Sequence, residues 1–237
     1  MAQGRKLTIS NPAIGGSGYL TLATMQADAA ICGGFHSAIH QCRGLAQAGG
    51  PLCVDVVIRE NEVVGAVPHF VDYVNGFELA EAWRAVSSVN DFQESFPRGL
   101  TVVADFFVEQ PILITASRRG PRYLTREEFV KKFEELIQKK CDLRLITYDF
   151  GKHNFPTILK GPFSFGVIVA DLHLRRDDRF IALSKEAAME GILMNVPTKK
   201  SSVADEERRK FNRYVFERGY EARESFAGSW DERIIFV

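Results

Sequence analysis

Apolar residues recur along this chain at two spacings, and the spacings predict its elements. β-Branched and aromatic runs over 53–58 and 63–67 flank Arg59-Glu60-Asn61-Glu62 and predict a first hairpin. Runs over 101–108 and 112–116, turning at Glu109-Gln110-Pro111, predict a second. Further strands are expected over 19–23, 143–150, 165–174 and 232–237; the nearly continuous apolar character of 165–174 predicts a central strand covered on both faces. Helical spacing is clearest over 125–140, where Phe129, Phe133, Leu136 and Ile137 repeat at threes and fours. Thr125 and Glu128 form a capping box ahead of them. Glu127 and Glu128 in the first turn and Lys139 and Lys140 in the last complement the helix dipole. Asn75 and Glu78 make a second capping-box pattern, opening a helix with Phe77, Ala80, Trp83 and Val86 on one face. Helices are also expected over 34–48, stopped by Gly49-Gly50-Pro51, over 184–193, and from 202 to a stop at Gly219.

Hairpins come first in this order, and helices are interspersed without a steady βαβ rhythm. That predicts an α+β fold: a mainly antiparallel or mixed sheet built from hairpins, with three to five helices packed on it. No internal repeat or low-complexity linker divides the chain, so residues 1–237 read as a single compact domain, with a hinge at 197–202 before a charged C-terminal helix and a terminal strand.

Composition adds boundaries. Apolar residues at 46% and charged residues at 25% are the mix of an ordered globular chain. Thirty basic and thirty acidic side chains cancel, so no global field draws the chain to nucleic acid or an anionic membrane. Four cysteines without a CxxC pair exclude a disulfide framework, and no stretch is apolar enough to read as a secretory signal or a membrane span. A cytoplasmic protein with reduced thiols is expected. Over residues 7–54 only Asp28 and Arg43 carry charge, which predicts that this segment is covered by the fold or by a partner. The leading functional expectation follows: a non-catalytic interaction or assembly protein, using 7–54 as its covered surface, with a protein partner or self-association and no cofactor.

Two alternatives rest on local chemistry. Cys32, His36, His40 and Cys42 crowd one segment. On a helix, Cys32 and His40 would lie about 12 Å apart at 1.5 Å per residue, too far to share one zinc at roughly 2.0–2.3 Å; no metal site is assigned. A cysteine just before a helix has its thiolate favoured by the helix N-terminus, and Cys32-Gly33-Gly34 fits that position. Cys32 as nucleophile, His69 as base and Asp72 as orienter would make a thiol hydrolase. Over about 45 residues, the order Cys, then helix, then hairpin with His resembles papain-like thiol peptidases. The second alternative is an RNA-contacting module in the basic segment 118–132, where Arg118, Arg119, Arg122 and Arg126 could clamp phosphates beside Tyr123. Gly15-Gly16-Ser17-Gly18 lacks the Lys-Ser/Thr of a P-loop and reads as a tight turn before a strand. Asp171 and His173, beside Asp177, Asp178 and three arginines, read as a surface charge network.

Overall fold

The computed structural model describes residues 4–15, 17–42, 51–61, 70–87, 92–106, 124–140, 142–156, 159–195, 203–226 and 232–237. Among these, seven strands form one sheet: β1 (Lys6–Ile14), β2 (His36–Cys42), β3 (Pro51–Arg59), β4 (Tyr73–Gly76), β5 (Leu100–Asp105), β6 (Leu143–Tyr148) and β7 (Ile234–Phe236), in the order β2-β3-β1-β4-β5-β6-β7. β3 pairs antiparallel with both β1 and β2. From β1 outward through β4, β5, β6 and β7 every pairing is parallel. The fold is therefore α/β with a mixed, mostly parallel sheet, and the expectation of a hairpin-built sheet is corrected. β5 shows why: it is bonded on both sides by parallel neighbours, so no ladder is left for a hairpin return. The expected partner strands at 112–116 and 63–67, and the hinge at 197–202, lie outside the described residues.

The helices are α1 (Tyr19–Cys32), α2 (Leu79–Ser87), the single-turn α3 (Phe92–Ser95), α4 (Arg126–Lys139), α5 (Lys160–Arg175), α6 (Lys185–Met194) and α7 (Val203–Glu224), more than the three to five expected. Strand alternation sorts them into two layers. Val102, Ala104 and Leu145 pack with Leu79 of α2 and Phe129 and Phe133 of α4. Val103, Ile146 and Tyr148, on the other face, pack with Leu22 of α1, Phe163 and Val167 of α5, Ile192 of α6 and Phe216 of α7.

Capping and periodicity hold for α4, where Thr125 Oγ1 accepts from the Glu128 amide at 3.3 Å and Glu128 Oε2 accepts from the Thr125 amide at 2.7 Å. Ser184 caps α6 in the same way, through the Ala187 amide at 3.1 Å. Other expectations are corrected. Residues 19–23 open α1, and 36–42 are β2, because the Gly33-Gly34 turn ends α1 before that segment and not after it. Residues 165–174 belong to α5, which is apolar all round because the sheet covers one side and α7 another. Asn75 lies inside β4; the cap of α2 is Glu78, accepting from the Ala80 and Glu81 amides at 3.3 and 2.7 Å. Gly219 does not stop α7. It lets α7 cross α5 so closely that a Cβ there would collide with the Phe163 carbonyl oxygen, and Gly166 faces the Phe216 carbonyl in the same way.

The described part of the charge-poor segment is covered largely by its own fold. Leu7, Ile9 and Ala13 of β1 and Ala29 and Ala30 of α1 are fully buried, because this segment supplies an inner strand and the helix lying over it.

Candidate functional site

The strand order reverses between β1 and β4: β1 leads through α1 to β2 on one side of the sheet, and β4 leads through α2 to β5 on the other. In open α/β sheets the crevice beyond the strand carboxyl ends at such a point is the usual ligand position. Here β1 passes through a turn into α1 at Gly18, whose φ of 85° is left-handed and suits glycine. Gly18 has no side chain to cap α1, and Leu159 cannot cap α5; neither helix has an acid in its first turn. Both helix ends reach one cleft of about 620 Å³, with Leu22 and Met25 of α1, Leu159, Gly161 and Pro162 at the start of α5, and Arg208, Phe211 and Asn212 of α7 around it. Two positive dipole ends without a side-chain cap and a guanidinium favour an anion, while the apolar wall favours a hydrocarbon or aromatic body.

Buried polar bonds hold the ends of the strands that support this cleft. Asn11 of β1 and Gln26 of α1 exchange side-chain bonds at 3.0 and 3.2 Å, and Asn75 donates to Asn11 Oδ1 at 3.1 Å. Lys160, the first residue of α5, meets Asp105 at the end of β5 at 2.7 Å and donates to the Phe77 carbonyl at 3.0 Å. Asp105 also accepts from the Phe150 amide at 3.0 Å. Burial raises the Asp105 carboxyl above its ordinary range, against the pull of Lys160.

Of the three residues expected for a thiol hydrolase, Cys32 and Asp72 are described, and neither is set up for that chemistry. Cys32 ends α1, at the negative pole of its dipole, and burial together with Glu190 and Asp28 raises the thiol, the opposite of activation. Its sulfur lies 3.6 Å from the Met194 thioether. Asp72 accepts from the Thr8 amide at 2.8 Å and from Arg98, so it is a buried structural acid at the foot of β4. His69 lies outside the described residues, as do Arg118, Arg119 and Arg122. Arg126 opens α4, paired with Glu127 at 2.8 Å and lying 5.0 Å over the Phe106 ring. His40 stands 3.7 Å from Asp55 across β2 and β3. Among the described residues no group of three His, Cys, Asp or Glu side chains could hold a metal.

Asp171 and His173 are not a surface network either. Asp171 is fully buried and accepts from Arg223 at 2.9 and 3.0 Å and from the Tyr73 hydroxyl at 2.8 Å; His173 is bonded to Tyr220 and to the Leu183 carbonyl. What sequence reasoning missed is the cleft. Its signal was Gly15–Gly18, which a helix follows and not the expected strand.

Sheet and crevice define a doubly wound α/β protein. The chain belongs to the pyruvate ferredoxin/flavodoxin oxidoreductase family, which matches residues 9–222. That membership overturns the non-catalytic assembly protein, the thiol hydrolase and the RNA-contacting module alike. Solved structures with the same fold include the gamma subunit of a keto/oxoacid ferredoxin oxidoreductase from Geobacter sulfurreducens, 18% identical, with a TM-score of 0.56 over 91% of this chain and 95% of that one. A pyruvate oxidoreductase subunit from Thermotoga maritima is 16% identical, with a TM-score of 0.53 over 92% and 96%. A 2-oxoglutarate:ferredoxin oxidoreductase from Magnetococcus marinus is 13% identical, with a TM-score of 0.56 over 98% of this chain but 33% of that longer one. No curated protein matches the sequence. Among the described residues no helix is long and apolar enough to cross a membrane.

Proposed function

We propose that this chain is a subunit of a cytoplasmic enzyme complex that oxidises a 2-oxoacid and delivers the electrons to ferredoxin or flavodoxin. The observation that carries this reading is the family match across residues 9–222. Likeness to two oxidoreductase subunits over 95% and 96% of their chains supports it. The Magnetococcus protein holds a similar unit within a chain about three times as long, so the unit works beside further protein. Residues 1–237 act as one body in this reading, presenting the cleft between α1, α5 and α7 to that protein.

The test is purification of the native assembly through a tag on this chain. Reduction of ferredoxin, flavodoxin or a viologen dye is then assayed with pyruvate and 2-oxoglutarate. Activity that co-elutes with the chain, and leaves the extract when the chain is depleted, is expected. A chain that elutes alone, with the 2-oxoacid-dependent activity left behind, overturns the reading.

A further inference from the structure

Among the described residues, five of the seven large apolar side chains that stand well into water lie on α1, α6 and α7, the other two being Leu174 of α5 and Phe236 of β7. Leu20 and Ile31 of α1, Met194 of α6, and Phe211 and Tyr214 of α7 are each at least 39% exposed. Phe211 is also part of the cleft wall, and Asn195, next to Met194, is part of it on the other side. The Phe211 and Tyr214 rings stack at 6.5 Å, and both meet Phe155 edge-on at 5.8 and 5.9 Å. Apolar surface thus continues from the cleft floor onto α7 in one direction and towards the end of α6 in the other. Such a surface, rimmed by polar groups, is the mark of a protein contact. A small molecule filling the cleft would leave Tyr214 and Met194 in water; a polypeptide lying across it covers them.

The rim limits the chemistry of that polypeptide. Arg208 meets no carboxylate among the described residues, and the first turns of α1 and α5 supply positive dipole ends with no acid of their own. We propose that the cleft and the aromatic step on α7 seat a segment of a partner subunit, which places an apolar side chain among Leu22, Met25 and Phe211 and a carboxylate against Arg208 and the helix ends. This rests on the reading of the chain as an oxidoreductase subunit, and it adds the surface and the partner's chemistry. The aromatic rings and the arginine are the residue types that carry most binding energy in such contacts.

Hydrogen exchange of the isolated full chain and of the purified complex tests it. Protection in the complex is expected over 20–25 and 208–214. Phe211→Asp and Arg208→Glu should each weaken assembly about tenfold or more, and Arg208→Glu, at an exposed side chain, should leave the thermal melt of the isolated chain unchanged. If the wild-type complex forms but these segments exchange as fast as in the free chain, or both variants assemble normally, the docking proposal fails and the subunit reading stands. If inorganic phosphate or coenzyme A alone gives the isolated chain the same protection, the cleft is a small-molecule site and the proposal is overturned. A wild-type chain that assembles with nothing removes the subunit reading and this proposal together.

Discussion

α5 and α7 run beside one another from the cleft to the opposite end of the sheet, and their two ends are built differently. At the cleft, Gly161 and Pro162 face Arg208, Phe211 and Asn212 across open space, with aromatic rings half in water and helix amides uncapped. At the far end, Asp171 of α5 accepts from Arg223 of α7 at 2.9 and 3.0 Å and from Tyr73 of β4 at 2.8 Å, all buried, with Arg144 of β6 at 3.4 Å. Nearby, Asp72 joins Arg98 to the Thr8 amide. The far end satisfies its charges within the chain. The cleft end buries one pair, Lys160 with Asp105, but leaves Phe211 and Arg208 facing outward. The contrast puts the closed, charge-paired contacts of this helix pair at one end and its open surface at the other.

The sharpest way to break that comparison is to remove charge from each end. Asp171→Asn deprives Arg223, whose side chain is 3% exposed, of its buried counter-charge. Loss of one member of a buried pair costs about 3–5 kcal/mol, to be read from urea denaturation of the full chain. Arg208→Ala at the cleft should change the same midpoint by less than about 0.5 kcal/mol. Equal losses would mean that the cleft rim is as structural as the far end, and the division would be gone.

A second test uses pH. Burial pushes the Asp72 carboxyl from 3.8 up to about 6, although Arg98 and the Thr8 amide pull it down. The folded chain therefore holds this proton more tightly than the unfolded chain. Its contribution is favourable at low pH and is lost as pH rises from about 4 to about 6, a change of up to about 3 kcal/mol for a shift of roughly two units. Asp72→Asn cannot titrate, so the stability difference between wild type and variant should fall with rising pH across that window and be flat above it. Parallel curves for the two proteins from pH 4 to 7 would show that Asp72 titrates in the folded chain as it does unfolded. No such slope is expected from Arg208→Ala.

How much of this was visible in the sequence depends on where each signal resides. α4 and α6 were legible because a cap and an apolar repeat are local: Thr125 with Glu128, and Ser184 ahead of its helix. β6 and β7 stood out as short apolar runs. α5 did not, since a helix covered on every side loses its polar face and reads as a central strand. β1 carries Asn11 and Pro12 within its span and gave no alternating pattern. Without β1, the glycines at 15–18 had no strand before them, and the order strand, glycine turn, helix could not be seen. The candidate cysteine failed for a related reason: once 19–32 is a helix, Cys32 sits at its negative end. Contacts such as Asp171 with Arg223 lie 52 positions apart and leave no local trace.

A smaller loss than that of Asp171→Asn is expected at the crossing between the two ends. Gly219 of α7 lies against the Phe163 carbonyl of α5, and Gly166 of α5 lies against α7 in return. In a free helix Gly219→Ala would be favourable by about 1 kcal/mol. Here the added methyl meets backbone, which cannot turn aside as a side chain would, so the helices must separate; overpacking of this kind costs about 1–3 kcal/mol. The added Cβ would stand nearer to the Phe163 backbone than a methyl can, so crowding wins and a net loss of up to about 2 kcal/mol is expected in urea denaturation. The far end is pinned by Asp171 and Arg223, whereas at the cleft Phe211 is held by an aromatic edge contact with Phe155 and by no charge pair among the described residues. Separation should therefore be taken up at the open end, with faster hydrogen exchange over 208–214 and little change near Arg223. An increase in stability for Gly219→Ala would show that the crossing has slack. Faster exchange at Arg223 and not at 208–214 would show that the closed end is the weaker one.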